Sequence, residues 1–227
     1  MRKLIVCARI HPMSKKQSIK PRDVSFSLSV LKQDSRLKEL IERHGEPDFT
    51  NFFPASSGIF QALLRSIVYQ QISGKAAASI YGRFVSLYPR KKPTPELVLA
   101  TPEEQLRARG LSTQKIKYIK DTAQKFFDGT IQPRLFSKMT SEEIVKHLIQ
   151  IKGVGVWTAH MLLIFTLNRL DVLPIGDLAI RKAFQKVYNL RKIPNHRKME
   201  ELAKGWREHA SVASWYLWQV IDEAKKK

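Results

Sequence analysis

The sequence predicts an all-α protein. Apolar residues recur at three- and four-residue intervals through almost every segment, and alternating strand patterns are nearly absent after residue 30. Residues that favour helix starts, and glycines that favour helix ends, punctuate these segments. A chain of 227 residues is long enough for a core that needs no disulfide or metal to hold it. We expect one compact helical body preceded by a basic arm.

Helix starts are marked by residues whose side-chain oxygen can accept a backbone amide. Thr94 and Thr101 each precede a proline, which favours the first position of a helix, and Thr140 forms a capping box with Glu143. Lysines opposite the apolar face of residues 112–127 indicate a solvated surface. The first predicted helix lies within 31–44, starts near Asp34 and stops at Gly45, and the second is capped by Ser56 or Ser57 and reaches 73. Two short helices begin at Pro95 and Pro102, and Gly110 ends the second of them. The other predicted helices span 75–87, 112–127, 140–149, 156 to about 168, 177–188, 195 onward and 211–224.

The charge of the chain indicates a polyanionic partner. Forty Lys and Arg residues against twenty Asp and Glu residues leave a formal charge of +20. Ribosomal, chromatin and tRNA-binding proteins have similar balances, so charge alone separates neither DNA from RNA nor a binder from an enzyme. The single cysteine, Cys7, excludes an intramolecular disulfide, a cysteine-rich zinc module and a four-thiolate iron–sulfur cluster. No apolar run approaches the length of a membrane span, so we expect no membrane partner.

The amino terminus is strongly basic. Its first 22 residues hold seven Lys or Arg and no acidic residue, and the apolar patch at 4–8 is too short for a secretory signal. Three interpretations stay open: a poorly ordered basic arm that contacts phosphates, an organelle-targeting leader, or a first strand or edge of the domain. We take residues 1–25 as the arm and residues 26–227 as the folded domain.

A Gly-x-Gly turn joins two predicted helices at Gly153-Val154-Gly155. The second helix starts with unpaired amide donors at the positive end of its dipole, and the glycines let a phosphate approach them. Such a hairpin, here at 144–168, contacts the nucleic-acid backbone and reads no base identity. A tight helix–helix turn also requires glycine for steric reasons alone, so the triplet by itself leaves both interpretations open.

Residues 149–184, IQIKGVGVWTAHMLLIFTLNRLDVLPIGDLAIRKAF, resemble the helix-hairpin-helix plus Gly-Pro-Asp motif of base-excision DNA glycosylases. The nearest branch is the 3-methyladenine DNA glycosylase II group, AlkA and Mag. Residues 62–84 resemble the Gln-Gln turn helix pair of that group, and residues 210–220 its closing helix. The resemblance implies two helical lobes with an active-site cleft between them. It also implies an enzyme that flips alkylated purines, of the 3-methyladenine and 7-methylguanine type, out of double-stranded DNA and hydrolyses the glycosidic bond.

Asp177 admits a structural and a catalytic interpretation, which can coexist. It precedes an apolar helix and suits an N-cap, while the resemblance places it at the catalytic aspartate of the family. A fixed carboxylate can stabilise positive charge on the sugar and orient or deprotonate water. Bifunctional family members carry a lysine where Trp157 stands here, which implies a monofunctional hydrolase, although Lys152 and Lys182 lie nearby in sequence. The bacterial enzyme has an aromatic residue at the position of Leu178, so the range of lesions stays open.

The resemblance also implies the remaining site residues. Each tryptophan is otherwise a common core residue, and Ile72 otherwise the last core residue of its helix. Ile72 is the expected wedge that fills the gap left by the flipped base, with Gln71 as an alternative contact to the opposite strand. The implied base pocket consists of Trp157, Met161, Trp215 and Trp218; the implied DNA contacts are Ile72, Gln71, Ser73, Gly153, Val154, Gly155 and Thr158; and the carbonyls of Ile149, Ile151 and Val154 are the implied ligands of a structural Na⁺ or K⁺ ion.

Two rival functions remain to be distinguished from the glycosylase. One is a non-catalytic helix-hairpin-helix DNA-binding protein, and the other is an endonuclease III-like lyase, which the missing cysteine cluster and Trp157 both oppose. We expect a monomer that requires no cofactor. It would act on the nucleoid in the cytoplasm of a prokaryote, or in the nucleus of a eukaryote.

Overall fold

The computed structural model describes residues 21–47 and 58–225, and this part of the chain is helical without strands, which confirms the all-α class. None of the helices in the described ranges is long and apolar enough to cross a membrane. The helices are α1 Pro21–Leu31, α2 Ser35–His44, α3 Ile59–Tyr69, α4 Gly74–Val85, α5 Pro95–Ala100, α6 Glu103–Ala108, α7 Thr113–Phe127, α8 Ser141–Leu148, α9 Val156–Phe165, α10 Leu178–Val187, α11 His196–Ala203 and α12 Ala210–Glu223, with 3₁₀ segments at Pro89–Lys91, Pro133–Lys138 and Lys204–His209.

The helices form two compact units, in agreement with the two lobes that the resemblance implies. Described residues 58–162 belong to the first unit, and residues 21–47 and 163–225 belong to the second. The chain passes from one unit to the other within α9. The cleft between the lobes stays a prediction.

Most of the predicted helix starts are confirmed by side-chain caps. Asp34, Ser112 and Asn195 accept amides at the starts of α2, α7 and α11. The capping box at the start of α8 is complete, because Thr140 Oγ1 accepts the Glu143 amide while the Glu143 carboxylate accepts the Thr140 amide. These local hydrogen bonds satisfy amides that have no partner within the helix.

Two expected caps are wrong. The N-cap of α3 is Gly58, without a side-chain hydrogen bond, and both Ser56 and Ser57 lie outside the described residues. Thr101 does not cap α6, which starts after Pro102. Instead, the Thr101 hydroxyl donates to the Leu97 carbonyl at 2.7 Å, because it lies one turn beyond that residue at the end of α5.

In the first unit, α3 packs against α4 and α7, and α7 also packs against α5. The expectation that the lysines of α7 are simply solvated is wrong for two of them. Lys115 Nζ donates to the Val68 carbonyl at 2.6 Å, and Lys120 Nζ donates to three carbonyls at the end of α5. Burial lowers the pKa of both Lys115 and Lys120. Their charge nevertheless suits this position, because the carboxyl end of a helix is its negative end.

In the second unit, α12 packs against α10 and α2, and two buried tyrosines join its helices. The Tyr216 hydroxyl donates to the Gly45 carbonyl at 2.7 Å, and the Tyr188 hydroxyl donates to Asp34 Oδ2 at 2.8 Å. Burial raises the pKa of Tyr216 to about 12, with a smaller contribution from Glu46. Burial, and then the hydrogen bond to Asp34, also raise the pKa of Tyr188, so both phenols stay neutral donors at physiological pH.

Helix α1 corrects the predicted domain boundary after residue 25, which falls inside this helix. The segment 24–30 alternates apolar and serine residues like a strand, but Ser27 and Leu31, one helical turn apart, are both fully buried. Packing in the second unit has therefore overridden the local pattern. The predictions about Cys7 and the rest of residues 1–20 lie outside the described residues.

Candidate active site

The hairpin turn between α8 and α9 has the glycine geometry that its sequence suggests. Gly153 has φ +81°, a left-handed backbone conformation that side chains rarely adopt. The amide of buried Val154 donates to the Ile151 carbonyl at 3.0 Å and closes the turn. The turn thus needs glycine at position 153 for its own folding.

Three side chains from distant parts of the first unit hold this turn, and sequence reasoning missed all three. The Tyr118 ring fills the space where a Cβ at Gly153 would lie. Gln70 Nε2 donates to the Gly153 carbonyl at 2.8 Å, and the Asp121 carboxylate accepts the Lys152 amide at 2.8 Å. Each partner is more than thirty residues away along the chain, so local sequence carries no signal of these contacts.

The second hairpin glycine has open space beside it in the described part of the chain. A Cβ at Gly155 would meet nothing within 4 Å. Gly155 instead stands before α9, where its carbonyl accepts the Ala159 amide at 3.0 Å. Open space beside the first amides of a helix is the geometry that lets an anion approach. Of the predicted contacts here, the Thr158 side chain is buried, so a contact between Thr158 and DNA would have to use its backbone amide.

The turn at residues 70–73, between α3 and α4, lies in the same unit as the hairpin and contains the predicted wedge. Gln71 is exposed and has φ +63°, and Ile72 is half-buried. Ser73 caps α4 by accepting the Ala76 amide at 3.4 Å. Gln70 connects this turn directly to the hairpin turn. The structure therefore joins the turn that contains Gln71, Ile72 and Ser73 to the hairpin turn through Gln70.

Asp177 is the N-cap of α10, as predicted, and it is buried, with 9% of its surface exposed. Its Oδ1 accepts the Ile180 amide at 3.0 Å, and its own amide donates to the Pro174 carbonyl at 2.9 Å. A Cβ at the preceding Gly176 would meet nothing within 4 Å. The carboxylate is thus fixed in orientation by the helix that it starts.

The four predicted pocket residues lie on two helices. Trp157 and Met161 are one turn apart on α9; Trp157 is 41% exposed, whereas Met161 is buried. Trp215 and Trp218 are half-buried on α12 and each contacts a core ring, Tyr216 at 5.0 Å and Phe165 at 5.7 Å between centroids. That all four line one base pocket stays a prediction.

Comparison with known families decides what this arrangement belongs to. Residues 64–208 match the family model described as HhH-GPD superfamily base excision DNA repair protein. The chain belongs to the HhH-GPD superfamily. The match starts within α3 and ends in the segment before α12, so it includes the turn at residues 70–73, the hairpin and Asp177.

Members of the HhH-GPD superfamily with a described activity resemble this chain in sequence and structure. DNA-3-methyladenine glycosylase 1 of Schizosaccharomyces pombe is 37% identical over 163 residues, which is 71% of this chain and 72% of that protein. The structure of 3-methyladenine DNA glycosylase Mag1 from the same organism, in complex with abasic DNA, has 33% identity and a TM-score of 0.70, covering 86% of this chain and 95% of that one. The crystal structure of a DNA-3-methyladenine glycosidase from Bacillus halodurans has 33% identity and a TM-score of 0.76, with 87% and 89% covered.

Two lysines of this HhH-GPD protein lie near the motif in sequence. The side chain of Lys152, in the hairpin turn, is 73% exposed, with Nζ 3.8 Å from Asp121 Oδ1. Lys182 is half-buried on α10. At the position of the lysine in bifunctional members stands Trp157, which has no amine to attack a sugar.

Proposed function

We propose that the protein is a monofunctional DNA glycosylase of base-excision repair, which flips alkylated purines out of double-stranded DNA and hydrolyses their N-glycosidic bond. The observation that carries this proposal is Asp177, a buried carboxylate fixed at the start of α10 in an HhH-GPD chain. The S. pombe and B. halodurans relatives are, by name, a DNA-3-methyladenine glycosylase and a DNA-3-methyladenine glycosidase, which supports alkylated purines as the substrate class.

The chemistry needs one carboxylate that is already in place. Departure of the base leaves positive charge on the sugar, which a negative group stabilises most when it does not have to reorganise. The hydrogen bond from the Ile180 amide to Asp177 Oδ1 supplies that fixed orientation. The same carboxylate can orient or deprotonate the attacking water. An alkylated purine carries positive charge of its own and leaves readily, so the mechanism requires no second catalytic acid.

DNA binding is assigned to the hairpin and to the overall positive charge. The open side of Gly155 lets a phosphate reach the amides at the start of α9, and the +20 charge attracts the polyanion without reading its sequence. We propose that a monomer suffices, because the hairpin, the 70–73 turn and Asp177 all belong to one chain. Sedimentation of the protein with and without duplex DNA tests this assignment.

The identity and exposure of Trp157 support two parts of the proposal: the preference for alkylated purines and hydrolysis without a lyase step. Its indole is 41% exposed, and stacking of such a ring on a cationic base contributes about 0.5 to 2 kcal/mol. This term favours alkylated purines over neutral ones. Because an indole cannot form a Schiff base, the product is a free base and an intact abasic strand.

A monovalent cation at the hairpin is a further part of the proposal. The carbonyls of Ile149, Ile151 and Val154 flank the turn, and a carbonyl oxygen such as that of Ile151, which accepts one amide, keeps a second lone pair. These donors suit Na⁺ or K⁺. Within the described ranges, no group of three or more His, Cys, Asp or Glu side chains could hold a metal ion. The cation would neutralise carbonyl dipoles beside the phosphate.

The test compares the wild type with Asp177→Asn on methylated duplex DNA and quantifies released bases. Asn caps a helix as well as Asp does, so the variant keeps its fold while losing the negative charge. We expect a loss of at least ~1000-fold, about 4 kcal/mol of barrier, in the single-turnover rate. Asp34→Asn is the matched control, because Asp34 also caps a helix, α2, and should leave the rate unchanged.

Two outcomes would replace the proposal by one of its rivals. Tight duplex binding by both proteins without release of methylated purines, hypoxanthine, uracil or ethenoadenine would favour a non-catalytic DNA-binding protein. Covalent trapping of the wild type on DNA by borohydride would instead show a Schiff base, and would make Lys152 or Lys182 the nucleophile of a lyase.

A further inference from the structure

We propose that Gln70 is a positioning residue that couples the 70–73 turn to the hairpin, so that the wedge enters the duplex at a fixed distance from the phosphates that the hairpin binds. The proposal rests on the function proposed above and adds a residue to it. Gln70 contacts neither the base nor the sugar in this scheme. It acts through the position of Gln71 and Ile72.

The contact that carries the inference is a single long-range hydrogen bond. Gln70 Nε2 donates to the Gly153 carbonyl at 2.8 Å, a distance typical of a well-formed bond, across 83 positions of the chain. Both groups belong to the first unit. The bond joins the backbone of one DNA-contacting turn to the side chain that begins the other.

The acceptor in this bond is held in place independently of Gln70. Gly153 has φ +81° and lies against the Tyr118 ring, and the next residue toward the amino terminus, Lys152, is bound through its amide by Asp121. The hairpin carbonyl is therefore a fixed point. Through its hydrogen bond to this carbonyl, the Gln70 side chain holds the 70–73 turn at a fixed distance from the hairpin.

The 70–73 turn needs a contact that holds it in place because its backbone is strained. Gln71 has φ +63°, a left-handed conformation that is unfavourable for a residue with a side chain. Strain of this kind persists where the neighbouring residues are fixed on both sides. Here Gln70 is bound to the hairpin on one side, and Ser73 caps α4 on the other.

Helix α3 ends on the backbone of Gln70, so the Gln70 side chain is not needed for this cap and its positioning role is separate from helix capping. The Val68 carbonyl, near the end of α3, already accepts Lys115 Nζ at 2.6 Å, and the Gln70 amide donates to the Ile67 carbonyl. The Gln70 side chain is thus directed to the hairpin. Extrusion of a base loses stacking and pairing, and an inserted wedge side chain offsets part of that loss. A wedge that is displaced from the duplex no longer offsets it.

The experiment compares Gln70→Met with the wild type by the fluorescence of a 2-aminopurine placed beside the lesion, by the single-turnover rate and by the binding of undamaged duplex. Methionine keeps the length of the side chain but cannot donate. We expect extrusion and the single-turnover rate to fall roughly 10-fold or more. The affinity for undamaged duplex should stay within about 2-fold, with an unchanged salt slope, because the hairpin keeps its phosphate contacts.

Gln61→Met is the matched control. Gln61 lies on the same helix, α3, and its Nε2 also donates to a distant carbonyl, that of Pro93, at 3.1 Å. This variant loses an equivalent bond away from the hairpin and should extrude bases as the wild type does. An equal loss of extrusion in Gln61→Met, at equal thermal stability, would overturn the assignment to Gln70.

A double-mutant cycle with Ile72→Ala measures the coupling itself. If Gln70 acts by placing the wedge, its substitution should cost little once the Ile72 side chain is gone, so the two effects are not additive. Additive effects would overturn the proposal. Fluorescence reports extrusion without chemistry. A wild type that extrudes bases but releases none would therefore refute the hydrolase and still allow the coupling to be measured.

Discussion

The ring of Tyr118 occupies the space that a side chain at Gly153 would need. Tyr118 lies on α7, and its hydroxyl in turn accepts Gln114 Nε2 at 2.6 Å, one turn earlier on the same helix. The first hairpin glycine is therefore required twice, by its backbone conformation and by a neighbouring ring. Neither constraint applies to the second glycine, Gly155, within the described part of the chain, and this contrast lets a role in folding be tested separately from the proposed role in DNA binding.

The Gly153→Ala variant should have a lower unfolding free energy than the wild type. The left-handed φ and the overlap with the Tyr118 ring together cost roughly 2 to 4 kcal/mol. Urea denaturation measures the loss. Gly129→Ala is the control, because Gly129 has a similar φ of +78° but a Cβ there would lie 3.7 Å from the nearest atom, so only the backbone cost remains. Equal losses in both variants would show that Tyr118 plays no part.

Gly155→Ala should weaken DNA binding while leaving the fold intact. A methyl group at this position would meet none of the described residues, but it would stand where we propose that a phosphate approaches α9. We expect unfolding free energy to change by at most about 1 kcal/mol and duplex affinity to fall about 10-fold or more. Fluorescence anisotropy checks the affinity, with Gly82→Ala, also free of contacts, as control. Undiminished affinity would remove Gly155 from the interface.

Asp177 should contribute to stability and to catalysis through different properties. Its cap on α10 depends on an oxygen acceptor, whereas stabilisation of the sugar depends on negative charge. Asp177→Asn should therefore keep the unfolding free energy, and Asp177→Ala should lose about 1 kcal/mol of it. Both variants should release bases at least ~1000-fold more slowly than the wild type. Thermal denaturation and base release, measured on the same preparations, check the pair; a stable but active Asn variant would contradict the catalytic role.

The sequence predicted those features that depend on neighbours within a few residues. Caps at Asp34, Ser112 and Asn195 formed as expected because donor and acceptor are two or three positions apart. Asp177 was found by its motif, and its cap by the same local rule. Element order and the hairpin followed from these starts and from the glycines.

Features that depend on packing between distant segments were missed. Residues 24–30 alternate like a strand but form part of helix α1, because residues one helical turn apart pack into the second unit. The contact of Gln70 with Gly153 has no local signature in the sequence. Lysines of α7 were expected in solvent because helical periodicity reports which face is polar, and it does not report what lies against that face.

Lys120 provides a test of this last point. Its ammonium group donates to the carbonyls of Val98, Leu99 and Thr101 at 2.6 to 2.9 Å. Lys120→Met should leave these carbonyls without the charged donor and cost roughly 2 kcal/mol of unfolding free energy. Lys117→Met, on the exposed side of the same helix, should cost less than about 0.5 kcal/mol. Similar values for the two variants would mean that the charged cap contributes nothing.

Acid should loosen helix α1 through His209. The imidazole Nδ1 lies 2.9 Å from the Ser27 hydroxyl, and its ring meets Phe26 edge-on at 5.4 Å. Burial lowers the pKa of His209, an effect that neighbouring Glu208 partly opposes. Because the folded protein disfavours the charged form, the stabilisation is complete above the unfolded pKa of about 6.5 and is lost as the pH falls through the folded pKa. Hydrogen-exchange protection of α1 amides, corrected for the intrinsic exchange rate, should therefore decline in the wild type as the pH falls below about 6.5. The His209→Gln variant should show a much smaller decline. The control His196→Gln, at an exposed position of α11, should decline as the wild type does. The same decline in all three proteins would exclude His209 as its cause.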